Sequence, residues 1–250
     1  MEKTEKDLLR FGLLGKNISY SFSRGYFNEK FKALKLEDHR YENFDIESIE
    51  KFNTIVENTP NLKGLNVTIP YKEAVIPFLD ELEPSAKIIG AVNTIKVEKG
   101  KLTGYNTDAY GFQKSLEPFL KKQHKKALIL GTGGASKAIA FILKELNISY
   151  RFVSRSGKNS GFTYEALNPE IMSDYLLIIN CSPLGTFPNI EDKPQIPYET
   201  ITQDHLFFDL IYNPEKTTFL KEGEIKGATI CNGLKMLELQ AEKSWEIWNS

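Results

Sequence analysis

The sequence contains few residues of the types that mark disulfide scaffolds, metal sites and membrane proteins. It has only 2 cysteines and 3 histidines in 250 residues, which argues against a disulfide framework or a metal site. No apolar run approaches the roughly 18 residues that a membrane-spanning helix needs, and the apolar segment 11–14 is too short for a signal peptide. We therefore expect Cys181 and Cys231 to be reduced thiols, no bound metal and a cytoplasmic location.

Neither sign of charge is in excess. The 32 basic and 33 acidic residues give a net charge of -1, whereas nucleic-acid-binding proteins usually carry a clear basic excess. A short basic segment at 121–126 is expected to be a solvated loop before a strand. The expected partner is a small molecule, with no nucleic acid and no membrane. The chain is long enough for one large domain or two modest ones, and monomer and homodimer both remain open.

The stretch 64–73 is the first candidate for chemistry. Its alternating apolar and polar residues indicate a half-buried strand that presents Asn66 and Thr68 side by side. Pro70 has no N–H to donate, so it ends the strand, and its fixed φ suits the first turn of a helix. The partial positive charge of a helix N-terminus disfavours an ammonium group. The position of Lys72 is therefore poor for a structural lysine and suitable for one that transfers a proton; the alternative is an ordinary solvated lysine.

The N-terminal part of the chain has the pattern of a small α/β unit whose polar residues gather at strand ends. Besides the strand within 64–73, the predicted elements are strands at 11–15 and 40–44, helices at 26–34, 47–58 and 85–89, and a hairpin over 91–106. The hydroxyls of Ser19, Ser21 and Ser23 follow the first strand, and they are either turn residues or ligand contacts.

The middle of the chain has the pattern of a dinucleotide-binding domain. A continuous apolar run at 127–130 indicates a buried parallel strand, and the glycine-rich segment 131–136 leads from it into a helix and a second strand. This order opens a Rossmann unit, in which the backbone of Gly131 and Gly133 approaches a pyrophosphate at the helix N-terminus. Ser136 stands where a third glycine is usual, and a small serine is tolerable there.

The residues after the second strand of this unit indicate which dinucleotide is bound. NAD enzymes place Asp or Glu there to hold the ribose 2′-hydroxyl, and this chain has no carboxylate at that point. Ser154, Arg155, Ser156 and Lys158 instead suit a 2′-phosphate, because they offer positive charge and hydrogen bonds together. NADP is therefore the expected cofactor; the alternative is a chance arginine in a surface loop.

The rest of the chain continues the same pattern. Apolar runs at 176–179 and 206–211 predict further buried strands, and the segment 180–185 follows the first at the usual ligand edge of such a sheet. A last helix is expected from about Gly233 to Trp248, with Gln240 at the border of its apolar face.

Taken in order, these motifs resemble those of the shikimate dehydrogenase family over nearly the whole chain. The matching segments are SFS at 21–23, NVTIPYK at 66–72, GAVNT at 90–94, NTD at 106–108, GTGGAS at 131–136, NCSPLG at 180–185, Tyr212, and GLKMLELQ at 233–240. The resemblance implies an N-terminal α/β catalytic domain (1–111 and 230–250) and a Rossmann-type NADP-binding domain (112–229), with the C-terminal helix returning to the catalytic domain. It also implies reversible reduction of 3-dehydroshikimate to shikimate with NADPH, in aromatic amino acid biosynthesis.

The resemblance also assigns roles to individual residues. Lys72 matches the catalytic lysine, and Asp108 matches its carboxylate partner in handling the proton. Substrate binding is assigned to Ser21, Ser23, Asn66, Thr68, Asn93, Tyr212 and Gln240. Cofactor binding is assigned to Gly131, Thr132, Gly133, Gly134, Ala135, Ser154, Arg155, Ser156, Lys158, Leu210 and Gly233. Closure of the two domains on the substrate is expected to hinge near Gly111 and around 227–232.

Three sites depart from the family pattern. Arg24 replaces a proline after the serine pair, Ser154 and Ser156 flank Arg155 where Asn and Thr are usual, and Lys235 replaces a common glycine. Two other functions remain open, namely an NAD-dependent quinate/shikimate dehydrogenase and a non-catalytic, nucleotide-binding regulatory relative. The missing carboxylate after the second Rossmann strand speaks against the first, and the presence of both proposed catalytic residues speaks against the second.

Overall fold

The chain folds into two compact units, each with its own β-sheet. The computed structural model describes residues 8–19, 21–156 and 161–250. The first unit comprises Met1–Thr107 and Ala241–Ser250, and the second comprises Asp108–Gln240. None of the helices in the described ranges has both the length and the apolar character that crossing a membrane requires. The domain division at 111 and 230 that the family resemblance implies stays a prediction.

The first unit is built on a six-stranded mixed sheet. Its strands are β1 (Leu9–Gly15), β2 (His39–Asp45), β3 (Leu62–Val67), β4 (Glu81–Leu82), β5 (Thr94–Glu98) and β6 (Lys101–Tyr105), in the order β2-β1-β3-β5-β6-β4. Its helices are α1 (Phe22–Ala33), α2 (Phe52–Asn58), α3 (Tyr71–Ala74) and α4 (Pro84–Ile89), and α5 (Thr107–Leu116) begins where its N-terminal segment ends. β1 is parallel to β2 and β3, so the carboxyl ends of these three strands meet at one edge of the sheet.

The strand that carries Asn66 is shorter and more buried than the sequence indicates. β3 ends at Val67, and its last three residues are all buried, so it is covered on both faces. The prediction of a half-buried strand that continues past Val67 is wrong, since Ile69 is 75% exposed. The reason is a turn in which the Tyr71 N–H donates to the Thr68 carbonyl (2.9 Å), which takes the chain out of the sheet.

Other local predictions in the first unit are confirmed. The hairpin of β5 and β6 turns at Lys99 and Gly100, whose φ angles of 51° and 79° are those of a two-residue hairpin turn. Gly90 ends α4 with a φ of 70°, the left-handed conformation that glycine adopts at a helix C-terminus. The helix predicted at 47–58 divides into a 3₁₀ turn (Ile49–Lys51) and α2.

The second unit is a five-stranded parallel sheet with helices connecting its strands. Its strands are β7 (Lys126–Leu130), β8 (Ser149–Val153), β9 (Leu177–Asn180), β10 (Leu206–Asp209) and β11 (Thr229–Cys231), in the order β11-β10-β9-β7-β8. Its helices are α6 (Gly134–Glu145), α7 (Pro169–Asp174), α8 (Thr218–Ile225) and the first part of α9 (Leu234–Asn249). This doubly wound order reverses between β7 and β9, and ligands of such sheets bind outside the carboxyl ends of the strands at that point. The predicted Rossmann-type domain is confirmed.

The C-terminal part of α9 packs in the first unit, as the family resemblance implies. Trp248 lies in an aromatic cluster with Phe11 and Phe27, and its indole N–H donates to the Ile95 carbonyl (3.0 Å). A Cβ on Gly64 would lie 2.2 Å from the indole nitrogen. The glycine in β3 therefore permits the close approach of α9 to the sheet.

Within the second unit, α5 and α9 approach each other closely at Gly111. A Cβ at this position would lie 2.5 Å from the Met236 carbonyl oxygen and 3.1 Å from Gln240 Cβ. Backbone atoms on both helices would have to move to accept a side chain. Helix packing therefore accounts for the glycine, and the hinge expected near it stays a prediction.

We expect Gly111→Ala to lower the free energy of unfolding by about 1–3 kcal/mol, because overpacking a tight helix contact forces the backbone to shift. Denaturant unfolding followed by circular dichroism measures the change. Gly25→Ala is the matched control, since Gly25 lies inside α1 and a Cβ there would meet no atom within 4 Å. Gly25→Ala should raise the free energy of unfolding by about 0.5–1 kcal/mol, because alanine has a higher helix propensity than glycine. Similar effects at both positions would contradict the packing account.

Candidate active site

Lys72 is held in place by its neighbours in the first unit. It is the second residue of α3, it is half-buried, and its carbonyl accepts a hydrogen bond from the Val92 N–H (2.7 Å). The preceding Tyr71 is buried, and its hydroxyl donates to the Ile46 carbonyl (2.7 Å). The prediction that Lys72 lies in the first turn of a helix is confirmed. α3 has only four residues, so its macrodipole is small.

A buried hydrogen-bond network surrounds Asn66 in the same unit. Its side-chain oxygen accepts from the Tyr41 hydroxyl (2.7 Å), and its Nδ2 donates to Ser244 Oγ (2.9 Å) and Thr94 Oγ1 (3.2 Å). Ser244 Oγ also lies 2.8 Å from Thr94 Oγ1 and 3.2 Å from Thr107 Oγ1. All these side chains are buried. Since a buried polar group is costly to leave unpaired, the network fixes β3, β5 and the end of α9 against one another.

The same network holds the first residue of α5. Asn93 Oδ1 accepts from the Thr107 N–H (2.7 Å), and Asn93 Nδ2 donates to Thr107 Oγ1 (3.0 Å). Asn106 Nδ2 donates to the Ala91 carbonyl (2.9 Å), which anchors the preceding residue. The backbone is therefore fixed immediately before Asp108, whose side chain is buried.

Two predicted substrate contacts, Asn66 and Asn93, thus make their described hydrogen bonds within the protein. Their binding of substrate stays a prediction. The hydroxyl residues of the network are not among the residues predicted from the sequence; they are Tyr41, Thr94, Thr107 and Ser244. The two threonines carry a usable signal, because each follows an asparagine in a motif at a strand end. The tyrosine and the serine carry none, because other elements bring them to the site.

The serine pair after β1 has two different environments. Ser21 Oγ accepts from the Arg24 N–H (3.1 Å) and caps α1, which supports the turn interpretation. A proline in place of Arg24 has no N–H to make this bond, so the departure from the family pattern has a structural consequence. Ser23 is buried and hydrogen-bonds Tyr41. Burial raises the pKa of the Tyr41 hydroxyl, and the bond with Ser23 opposes that shift.

In the second unit, the glycine turn after β7 has the features of an anion site. Gly131 has a φ of 108°, and a Cβ on Gly133 would meet no atom within 4 Å. α6 begins with no side-chain cap. The Ser136 N–H donates to the Gly133 carbonyl (2.9 Å), and the N–H groups of Gly134 and Ala135, which precede it, can bind a phosphate. The predicted cofactor residues of this turn lie together there: Gly131, Thr132, Gly133, Gly134 and Ala135. The open space above Gly133 and the uncapped helix fit the pyrophosphate of a dinucleotide.

The turn after β8 presents an exposed arginine. Arg155 and Ser156 are exposed and Ser154 is half-buried, and the Ser154 N–H donates to the Phe162 carbonyl (3.0 Å), which anchors the start of the turn. Within the described ranges, Arg155 forms no ion pair with a carboxylate. Its guanidinium group is therefore suited to a ligand phosphate. Lys158, the other predicted cation of this turn, lies outside the described residues.

The loop after β10 carries Tyr212, which is half-buried. Burial raises the pKa of the Tyr212 hydroxyl, so it stays protonated at neutral pH and is able to donate a hydrogen bond. Leu210 and Gly233, both predicted cofactor contacts, are adjacent in this unit. A Cβ on Gly233 would lie 2.1 Å from the Leu210 carbonyl oxygen, so only glycine fits there.

Other candidate residues have simpler surroundings. Lys235, which departs from the family pattern, is exposed on α9 and pairs with Glu238 (3.2 Å). Cys181 and Cys231 are free thiols, as predicted, and burial raises the pKa of Cys231 to about 11. Within the part of the chain that the structure describes, no cluster of three His, Cys, Asp or Glu residues could hold a metal ion.

Comparison with known proteins identifies the family. A family model described as the shikimate dehydrogenase substrate binding domain matches residues 13–95. The chain is 39% identical over 254 residues to the shikimate dehydrogenase (NADP(+)) of Methanococcus maripaludis, covering 95% of this chain and 90% of that protein. The chain belongs to the shikimate dehydrogenase family.

Solved structures of shikimate dehydrogenases share the fold. The enzyme of Thermus thermophilus, in complex with NADP(H) and shikimate, is 32% identical with a TM-score of 0.84, covering 96% of this chain and 93% of that one. The enzyme of Listeria monocytogenes, in complex with shikimate and NAD, is 27% identical with a TM-score of 0.82, covering 97% and 92%. Family membership therefore confirms the expected architecture, while both dinucleotides occur in structures of similar proteins.

We expect Ser244→Ala to lower the free energy of unfolding by about 1–3 kcal/mol, because it leaves buried partners of the network short of a hydrogen bond. Ser115→Ala is the matched control. Ser115 is also a buried helical serine, but its hydroxyl donates only to the Phe112 carbonyl in its own helix (3.0 Å). Denaturant unfolding of both variants checks the difference, and equal losses would contradict a special role for the network.

Proposed function

We propose that this chain is an NADP-dependent shikimate dehydrogenase that interconverts 3-dehydroshikimate and shikimate, a reaction of aromatic amino acid biosynthesis. The observation that carries the proposal is its 39% identity, over 95% of its length, to a protein named shikimate dehydrogenase (NADP(+)). The motifs at 66–72, 106–108 and 131–136 support the same activity.

The substrate is a small carboxylate with several hydroxyl groups. Hydroxyl and amide side chains suit such a ligand, and the candidates are Ser21, Ser23, Asn66, Thr68, Asn93, Tyr212 and Gln240. A site built to hydrogen-bond hydroxyls also rejects analogues that lack them, because its own polar groups are then left unpaired. The Tyr212 hydroxyl is protonated at neutral pH, so it can donate a hydrogen bond to the substrate carboxylate.

The chain's residues fit NADP at two places in the second unit. The glycine turn and the N-terminus of α6 would hold the pyrophosphate, and Arg155 with Ser154 and Ser156 would hold the 2′-phosphate. When bound, NADPH supplies the hydride for the reduction. Leu210 and Gly233 would complete the cofactor contacts.

Lys72 and Asp108 handle the proton in this proposal. Lys72 donates a proton from Nζ to the oxygen of the reacting carbonyl, and it accepts one in the reverse direction. Asp108 accepts a hydrogen bond from the hydroxyl group that this oxygen carries in shikimate. This assignment is supported by the fixed backbone at both residues. The Lys72 carbonyl accepts a hydrogen bond from the Val92 N–H, and Asn93 holds the residue before Asp108.

A second candidate is a dehydrogenase that uses NAD and acts on quinate as well as shikimate. The NAD in the similar structure from Listeria monocytogenes favours it, and the absence of Asp and Glu from residues 154–158 of the sequence opposes it. Initial rates with both cofactors, on 3-dehydroshikimate and 3-dehydroquinate, separate the two. We expect the highest kcat/KM with NADPH and 3-dehydroshikimate, whereas a preference for NADH would favour the second candidate. Absence of turnover in all four combinations would favour a regulatory relative.

We expect Lys72→Ala to lose most of kcat, with a fall of about 10²–10⁴, because a positioned acid/base contributes that much to proton transfer. KM should change little, since the lysine acts mainly in the transition state. Steady-state kinetics measure both parameters. Lys87→Ala, which removes an exposed lysine on α4, should retain normal kinetics. Near-normal turnover of Lys72→Ala would refute the assignment.

We expect Arg155→Ala to raise the KM for NADPH about 10–100-fold, because a charge-assisted hydrogen bond is worth about 1.5–3 kcal/mol. The KM for NADH should change little, since NADH has no 2′-phosphate. Arg151→Ala removes an exposed arginine from β8 of the same unit and serves as the control. An equal change in both cofactors' KM values would argue against 2′-phosphate recognition.

A further inference from the structure

A fully buried carboxylate lies at the base of the loop that carries Tyr212. Asp209 is the last residue of β10 and has no exposed surface. Its Oδ1 accepts from the Ile211 N–H (3.0 Å) and from Asn180 Nδ2 (3.1 Å), and its Oδ2 accepts from Thr217 Oγ1 (2.6 Å). The carboxylate therefore binds both ends of the segment 210–216.

Thr217 closes the loop from its far end. It is buried, and besides donating to Asp209 its Oγ1 accepts from the Leu220 N–H (3.3 Å) as the N-cap of α8. The same hydroxyl thus fixes the start of the helix and the end of the loop. Two further bonds hold the loop from outside: the Gly233 N–H donates to the Ile211 carbonyl (3.0 Å), and Asn232 Nδ2 donates to the Glu215 carbonyl (2.9 Å).

Asn180 connects this loop with the one that follows β9. It is buried, its Oδ1 accepts from the Ser182 N–H (3.0 Å) and the Ser182 hydroxyl (2.7 Å), and its Nδ2 donates to Asp209. Its backbone carbonyl accepts from the Leu210 N–H (3.1 Å). Two loops at the carboxyl edge of the parallel sheet therefore depend on one buried carboxylate.

We propose that Asp209 is a positioning residue for the reaction, whose ionised carboxylate holds the loop 210–216 in the shape that presents Tyr212 to the substrate. The inference rests on the proposed function, in which Tyr212 contacts the substrate. Every hydrogen-bond partner of Asp209 is a donor, so the site is built for an acceptor without a proton. A proton on Oδ1 would face two N–H groups that cannot accept it, and a proton on Oδ2 would require the Thr217 hydroxyl to turn its own hydrogen away from the carboxyl group.

The charge of Asp209 has no cationic partner among the described residues, and burial raises the pKa of this carboxyl to about 6. The titratable groups that face it are the Cys181 thiol and the Tyr198 hydroxyl, and burial raises the pKa of each, so both are neutral near pH 6. Above this pH Asp209 is ionised and the loop is fixed. As the pH falls through about 6, the carboxyl group is protonated and the loop loosens.

Asp209→Asn tests the proposal, because it keeps the shape of the side chain, removes its negative charge and replaces one acceptor by an NH₂ group that cannot accept. We expect the KM for 3-dehydroshikimate to rise about tenfold, with kcat within about threefold of the wild type. In the wild type that KM should rise as the pH falls through about 6, and in the variant it should be flat over this range. Unchanged KM values, or the same pH profile in both proteins, would overturn the proposal.

A double-mutant cycle with Tyr212→Phe tests whether the effect passes through Tyr212. If Asp209 acts by placing the tyrosine hydroxyl, the double variant should bind substrate little worse than either single variant. If the effects of the two single substitutions on KM multiply in the double variant, Asp209 acts independently of Tyr212, and the proposal is overturned. Calorimetric titration of shikimate into each variant gives the same comparison without turnover.

Two further comparisons keep the test decisive. Thr217→Ser retains the hydroxyl and should keep a normal KM for 3-dehydroshikimate. Thr217→Val removes the hydroxyl and should raise this KM as expected for Asp209→Asn, so it tests the same contact if Asp209→Asn fails to fold. Asn168→Ala removes the N-cap of α7 (Oδ1 to the Ile171 N–H, 2.9 Å), so it should lower stability without raising KM. An inactive, non-binding wild type would refute the proposed function itself, whereas an active wild type with unchanged variants would refute only the role of Asp209.

Discussion

The structure of the first unit depends on pairing polar groups that are buried where strands and helices end. Asn66 lies in a strand that is covered on both faces, so its amide must find partners inside the protein. Ser244, from the last helix, supplies one of them, and the same hydroxyl reaches Thr94 and Thr107. The return of α9 to this unit is therefore required by hydrogen bonding as well as by the burial of Trp248.

The same constraint operates in the second unit with a charge in place of an amide. β9 and β10 end in Asn180 and Asp209, whose side chains are fully buried and have no access to water. They satisfy each other and backbone N–H groups that follow them, and they join two loops at the ligand edge of the sheet. The glycine turn at the start of α6 is the exception, since its helix N-terminus has no side-chain cap. Next to a parallel sheet of this topology, an uncapped helix N-terminus is the place where an anionic cofactor binds most favourably.

Sequence periodicity was sufficient for the parallel strands, the hairpin and the glycine turn, because local residue types determine them. It was insufficient at Ile69, which continues an alternating pattern but lies outside the strand, because a turn from Thr68 to Tyr71 takes precedence. The sequence motifs contain Asn66 and Asn93, whereas Tyr41 and Ser244 lie outside them. These two residues come from elements distant in sequence, and only the tertiary fold brings them to the network.

The central claim is that this member of the shikimate dehydrogenase family makes shikimate. The most direct measurement incubates the purified protein with NADPH and 3-dehydroshikimate and identifies the product by chromatography and mass spectrometry. We expect shikimate to form in a one-to-one ratio with the NADPH oxidised. NADPH oxidation without shikimate, or no oxidation at all, would contradict the account.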